Sequence, residues 1–263
     1  MNPRSPYVHR PSSIHRLNPL TKGVLFLCTV VIAFATSSLT TVLALLGAVV
    51  AASAAARVAR ELARTVAKSA FVIVALIFIV QGLFYPGSRT PLYVVGPLTI
   101  WQEGLRFACF TASRLLAIIG ATVLLMLTTR PEDLVSELMA RGLSRKLGFV
   151  VLMTMQIIPN MQARAAAILD AQRSRGLETE GRLIQRFRAF LPLMGPLVVG
   201  SIISLETRSL AIEARGFSSP TKRVRIEDIP DTRWESLVRW GASLATFGFV
   251  VWRLVRWISS LIR

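Results

Sequence analysis

Long apolar blocks alternate with short polar joints along this chain. The blocks cover residues 24–35, 42–56, 70–84, 107–127 and 240–252, and most Arg and Lys residues fall between them. Lipid offers the backbone no hydrogen-bond partner, so blocks of this kind cross it as helices. A full crossing needs about 20 apolar residues. The first block is shorter, and its weakly polar flanks let it cross as one arm of a hairpin with the second, turning near residues 36–41. The pattern predicts an all-α integral membrane protein with about five transmembrane helices.

From Leu147 to Gly216 the pattern changes. Apolar residues recur with Arg, Glu and Gln among them, and Pro159, Pro192 and Pro196 punctuate the run. Such segments are too polar to span and too apolar to form a free soluble domain. They read as amphipathic helices on the cytoplasmic membrane face or against partner proteins. The chain therefore divides into a basic cytoplasmic tail (1–22), transmembrane helices 1–4 (23–128), a short cytoplasmic helix (129–146), amphipathic helices (147–216), a polar elbow (217–232) and a last transmembrane helix (233–263).

Local signals refine this division. Asn18-Pro19 is a helix start, with Asn as cap and Pro at the first position. Arg57, Arg60, Arg64 and Lys68 face only Glu61, so residues 57–68 read as a basic cytoplasmic loop before a third span at 69–84. Residues 85–103 hold several Pro and Gly but only Arg89 as a base, which places them outside. Arg114 lies inside the fourth span, 105–128, and must snorkel, find a partner or face the bundle interior. Thr129-Arg-Pro-Glu132 and Thr232-Arg-Trp-Glu235 both fit the capping-box pattern. Counting five spans puts the C-terminus outside, while Arg253, Arg256 and Arg263 favour the inside. Trp252 and Trp257 are suitable interfacial anchors.

Composition changes the picture in one respect. The 263 residues are 53% hydrophobic yet carry a net charge of +17 and a pI near 11.6. Nucleic-acid binding would account for the charge, but the segmentation assigns it to arginine-rich loops beside anionic headgroups, with no nucleic-acid partner. Cys28 and Cys109 sit in apolar blocks, where cysteine behaves as a small hydrophobe. His9 and His15 lie in the tail, and no metal-ligand spacing, catalytic residue or cofactor site is found. The tail has no apolar core ending in a cleavage site, so no cleaved signal peptide is expected.

Two segments forty residues apart superpose: Ala171-Gln-Arg-Ser174-Arg175-Gly176-Leu177 and Ala211-Ile-Glu-Ala214-Arg215-Gly216-Phe217. Glycine can adopt the left-handed conformation that ends a helix. The arginine before it then lies in the last turn, where the helix dipole favours a cation. The alanine four residues earlier shares its face and lets another surface approach. Each segment thus presents a guanidinium at a helix tip, and two such tips point to docking on two similar partners. Arg-Gly at a helix end is also ordinary capping chemistry, and Ala140-Arg141-Gly142-Leu143 repeats the tripeptide with Glu137 in place of the small residue. We read that third instance as coincidence.

An enzyme reading would rest on Glu132 with Asp133, or on Glu227, Asp228 and Asp231. The first pair is explained by capping, and the second group by a solvated face near Arg223, Arg225 and Arg233. A conventional ABC permease is a further alternative, although paired motifs in one chain are not its pattern.

Taken together, residues 15–22 (His-Arg-Leu-Asn-Pro-Leu-Thr-Lys), residues 128–134 (Thr-Thr-Arg-Pro-Glu-Asp-Leu) and both Arg-Gly segments resemble the transmembrane T component of energy-coupling factor (ECF) transporters, the EcfT/CbiQ/BioN family. The likeness covers most of the chain. Ser174 stands where the family has alanine, and Asn18 where aspartate is common; both are conservative for their roles. The resemblance implies that residues 147–216 are coupling helices and that Ala171, Ser174, Arg175, Gly176, Ala211, Ala214, Arg215 and Gly216 dock two cytoplasmic ABC-type ATPases. It also implies a membrane-embedded S component that binds a vitamin, cofactor or transition-metal ion, and a multi-pass cell-membrane protein with a cytoplasmic N-terminus. No Lys follows a Gly in the chain, so it holds no phosphate loop of the Gly-Lys type. ATP hydrolysis is expected in the partner chains.

Overall fold

The computed structural model describes residues 12–85, 90–95, 98–176, 183–216 and 231–261. The chain forms two compact units, Met1–Leu138 with Ile229–Arg263, and Met139–Asp228. Among the described residues the fold is helical apart from one short pair of strands. The basic tail up to residue 11 and elbow residues 217–230, with Glu227 and Asp228, lie outside the described residues.

The first unit begins with α1 (Ser13–Arg16) and α2 (Pro19–Ala35). Asn18 Oδ1 accepts the Leu20 N–H at 2.9 Å, and Pro19 occupies the first helical position, where its missing N–H costs nothing. Residues 36–38 turn the chain into α3 (Leu39–Ala55). There follows α4 (Ala59–Phe84), and here the structure corrects the sequence reading, because residues 59–68 are the first turns of α4 and not a loop. The reason is a helical apolar stripe among the arginines. Val58 and Leu62 are buried with Ala56 and Leu127, and Val66 packs on them. Arg60 and Arg64 lie one turn apart on the polar side of the same helix.

α5 (Gln102–Thr128) packs against α4, α3 and α2. Its buried positions are mostly small: Gly104, Ala108, Ala112, Ala117, Gly120 and Ala121. Small residues let helices approach closely where lipid supplies no hydrophobic drive. A Cβ at Gly104 would run into the Gln81 carbonyl oxygen, and one at Gly120 would lie 3.2 Å from Val49 Cγ1. α4 and α5 are long and apolar enough to cross a membrane, whereas α2 and α3 are apolar helices of 17 residues each. α4 exposes Phe71, Val72 and Phe84 around its circumference, each more than 70% accessible within the chain. Large apolar side chains exposed on several sides of one helix fit lipid as solvent far better than water.

Residues 85–103, to which the sequence reading assigned a side of the membrane but no secondary structure, hold an antiparallel pair, β1 (Pro91–Val95) and β2 (Leu98–Trp101), with Tyr93 opposite Ile100 and Val95 opposite Leu98. The Thr90 hydroxyl donates to Glu103 Oε1 at 2.7 Å and ties the pair to the start of α5.

Neither capping box forms. α6 (Pro131–Ala140) starts on the Arg130 carbonyl, which accepts from Asp133 and Leu134, while Thr129 Oγ1 is buried with no hydrogen-bond partner among the described residues. In α9 (Arg233–Leu261) the Glu235 carboxylate caps a different helix: Oε2 accepts the Asn18 N–H at 2.8 Å, at the positive end of α2. Arg239 stands one turn further along α9. Its guanidinium forks onto Asp231 at 2.9 and 2.8 Å and donates to Thr21 Oγ1 at 3.0 Å, with Arg239 itself buried. Lys22 Nζ donates to the carbonyls of His15 and of Thr128, at 3.0 and 2.9 Å, and the latter is an orphan acceptor at the end of α5.

These contacts bear on the direction of α9. Its start lies on the start of α2, and Arg253 near its other end hydrogen-bonds Ser37 in the α2–α3 turn. α9 therefore runs parallel to α2, and its C-terminal end lies beside that turn. The arginines there have local partners. Arg114 donates to the Thr36 carbonyl at 2.6 Å and lies over Phe110, and Arg256 lies over Trp252.

Candidate functional site

The second unit is built on α7 (Arg145–Ser174) and α8 (Leu183–Ala214), which pack against each other. α7 starts on Ser144, whose hydroxyl accepts the Leu147 N–H at 3.3 Å, and it continues through Pro159. The sequence-predicted site residues fall at the C-terminal ends of these two helices.

The ends are built alike. At α7 the Arg175 N–H donates to Gln172 O at 3.0 Å and the Gly176 N–H to Arg173 O at 2.9 Å, with Gly176 at φ 89°. At α8 the Arg215 N–H donates to Ala211 O at 3.3 Å and the Gly216 N–H to Glu213 O at 2.8 Å, with Gly216 at φ 70°. Positive φ is inexpensive only for glycine, so the residue after each arginine closes the helix and fixes where the guanidinium leaves it. Ser174 Oγ folds back onto Asp170 O at 3.1 Å and leaves the face beside Arg175 clear.

Ala171, Ser174, Arg175 and Gly176 are all exposed, as are Ala211, Ala214, Arg215 and Gly216. Among the described residues neither guanidinium has a hydrogen bond or ion pair. The nearest ion pair, Arg173 with Asp170 at 3.8 Å, spends a neighbouring arginine within the helix. Each tip is thus a cation on a small-residue face at the negative end of a helix, suited to accept an acidic or carbonyl-lined groove of another protein. Leu177 and Phe217, which close the two sequence segments, lie outside the described residues.

The third Ala-Arg-Gly also ends a helix, with Gly142 at φ 115°, but α6 is only ten residues long and Arg141 is engaged within the chain.

Sequence reasoning missed the contacts that hold α7 and α8 together. Arg164 spans α8 with both arms of its guanidinium, Nη1 donating to Gly200 O at 3.1 Å and Nη2 to Ser204 Oγ at 3.2 Å. The Ser201 hydroxyl meets Met161 Sδ at 3.3 Å, and Arg208 reaches Met153 Sδ at 4.0 Å. Arg208 of α8 reaches back to Met153 of α7 while Gly200 meets Arg164, so the two helices run in opposite directions where they touch.

Residues 10–226 match the family described as cobalt transport protein, CbiQ. The energy-coupling factor transporter transmembrane protein EcfT of Clostridium kluyveri is 27% identical over 85% of this chain and 86% of its own length. The protein of the same name from Thermosediminibacter oceani is 26% identical over 95% of this chain and 97% of its own. A putative ABC transporter ATP-binding protein of Bifidobacterium longum is 29% identical over 86% of this chain, which covers only 29% of that larger protein.

Proposed function

The chain belongs to the CbiQ family of cobalt transport proteins, the transmembrane T components of ECF transporters, and from that membership we propose that it couples ATP hydrolysis in partner chains to import through a separate S component. The observation that carries this reading is the pair of exposed guanidiniums, Arg175 and Arg215, on helix ends forty residues apart that are each closed by a positive-φ glycine. Two equivalent tips match two ATPase subunits. The similarity to one section of a larger ATP-binding protein supports the same pairing, since a coupling subunit and its ATPase can share one polypeptide.

In this reading α2, α3, α4, α5 and α9 cross the membrane, with the N-terminus and unit two on the cytoplasmic side. Five crossings place the C-terminal end of α9 outside, beside the α2–α3 turn. Arg175 and Arg215 each enter a groove on one ATPase, with Ala171 and Ser174, or Ala211 and Ala214, making room for its walls. Closure of the ATPase pair around ATP moves the two tips, and the helices pass that movement to the S component, which selects the cargo. A vitamin-like cofactor or a transition-metal ion is the expected cargo class. The chain itself carries out no bond-making or bond-breaking step.

Copurification tests this. The affinity-tagged chain, drawn from its native membrane in mild detergent, is expected to bring down ABC-type ATPase subunits and a separate small apolar membrane protein. Recovery of the chain without any ATPase would overturn the reading.

A further inference from the structure

In the first unit α1, α2, α3, α5 and α9 border a cavity of about 400 Å³. Leu25, Cys28, Thr29 and Ile32 of α2 line it at the three- and four-residue spacing of one helix face. The cavity begins at Lys22 and Thr128 and runs to Ile32, about 15 Å along α2 at 1.5 Å per residue. That is half of the roughly 30 Å hydrocarbon core of a bilayer, the depth of one leaflet. Leu25, Ala48 and Ala245 line the cavity and are exposed, so it opens at the surface of the unit.

The two ends differ in chemistry. Three hydroxyls line the cavity, those of Thr29, Thr128 and Thr246, and each donates to the carbonyl four residues earlier in its own helix. Their protons are spent, and apart from Lys22 the rest of the wall is aliphatic and aromatic with one thiol. Walls of this kind suit hydrocarbon and not water. Lys22 is the exception. An ammonium has three N–H donors, and Lys22 spends two of them on the His15 and Thr128 carbonyls. The third has no partner among the described residues, although Lys22 is only 8% exposed. The neighbouring carboxylates of Asp133 and Glu235 form no ion pair with it, and Glu235 is engaged by the Asn18 N–H. Arg16, exposed next to the lining residue Leu17, adds positive charge at the same end. A buried cation with a spare donor is suited to a charged oxygen acceptor.

We propose that the cavity holds one acyl chain of an anionic phospholipid from the cytoplasmic leaflet, whose phosphate accepts the third N–H of Lys22. This rests on the membrane placement proposed above, which sets Lys22, in the first turn of α2, at headgroup depth on the cytoplasmic side. It does not need the coupling role. The acyl chain fills the space between α2, α3, α5 and α9, and the phosphate lies where α2 begins and α5 ends. A zwitterionic lipid brings its own cation to that place, so the site favours a headgroup with net negative charge.

The test reconstitutes the purified full chain in phosphatidylcholine bilayer discs with a trace of phospholipid that carries a photo-reactive group on one acyl chain. The trace lipid is phosphatidylglycerol in one sample and phosphatidylcholine in the other, and adducts are mapped by mass spectrometry after irradiation. On Cys28 and Ile32 phosphatidylglycerol adducts are expected to exceed phosphatidylcholine adducts about fivefold, the order set by one basic residue beside an anionic headgroup. On Phe71 and Val72 of α4 the two lipids are expected to label equally. Lys22→Gln should bring the ratio at Cys28 and Ile32 close to one. Ala245→Phe, a change at an exposed position, should remove those adducts by filling the cavity and leave the adducts on α4. Equal labelling of Cys28 and Ile32 by both lipids in the unaltered chain would show bulk lipid without a site and overturn the proposal. A ratio unchanged by Lys22→Gln, or adducts unchanged by Ala245→Phe, would do the same. So would a lack of adducts at Cys28 and Ile32, the result expected if a partner helix or the chain's own first eleven residues fill the cavity. A lack of adducts on α4 as well would instead overturn the membrane placement.

Discussion

Charge reversal at both tips, Arg175→Glu with Arg215→Glu, is expected to abolish uptake and strip the ATPases from the complex while the chain still inserts. The expectation follows from where the two residues stand. Each guanidinium is exposed and unbonded among the described residues, so the isolated subunit loses no internal contact when it is replaced. The loss falls on the complex. Truncating one partner of a desolvated, hydrogen-bonded charge pair costs about 2–5 kcal/mol, and a reversed charge adds repulsion from any acidic groove. About 3 kcal/mol at one site is more than a hundredfold in affinity. Each single variant should weaken the complex, and the double variant should leave none. Uptake measured in cells, with subunit levels read by immunoblot, decides it. Wild-type uptake in the double variant would remove the tips from the mechanism.

The second large effect is expected in the membrane unit. Arg239→Ala should lower the thermal midpoint of the detergent-solubilised chain by roughly 3–10 °C, the counterpart of about 1–3 kcal/mol in a protein of this size. Asp231 loses both hydrogen bonds of the fork, and Thr21 loses its donor, at the place where α9 is fastened to the start of α2. Arg239→Lys should fall between, since an ammonium cannot reproduce the planar fork. Asp231→Asn should cost less than Arg239→Ala, and the double variant should cost less than the sum, as expected of directly coupled partners. Strict additivity would show that the fork does not hold the two helices.

How much of this was legible in the sequence depends on the kind of signal. Helix boundaries set by backbone chemistry were readable: Asn18-Pro19 caps the start of α2 as its residue types require, and Gly176 and Gly216, after the ends of α7 and α8, take the positive φ that their positions after arginine imply. Readings that assumed a side chain would serve its own helix failed. Glu235 matched the capping pattern three residues after Thr232, yet its carboxylate reaches the start of α2, because that start is also a positive helix end and lies within reach in the folded unit. Thr129 matched the pattern too, but α6 begins one residue later, which takes its hydroxyl out of register. The arginines in residues 57–68 masked a helix whose apolar stripe, Val58, Leu62 and Val66, keeps the four-residue spacing. The β1–β2 pair had a signal that charge counting overlooked: Leu92-Tyr-Val-Val95 and Leu98-Thr-Ile-Trp101 are rich in strand-forming residues, separated by Gly96-Pro97.

The contacts between α7 and α8 could not have been read in advance. The two Arg-Gly ends repeat in sequence, and their spacing is visible. Met161 with Ser201, and Arg164 with Gly200 and Ser204, pair unlike residues and leave no repeated letters to find.

The most direct measurement replaces Ser174 in one variant and Ala214 in another with a photo-reactive amino acid, then irradiates the assembled transporter in its native membrane. Adducts of each tip with an ATPase subunit are the predicted result. Adducts confined to this chain or to lipid, at either tip, would contradict the account.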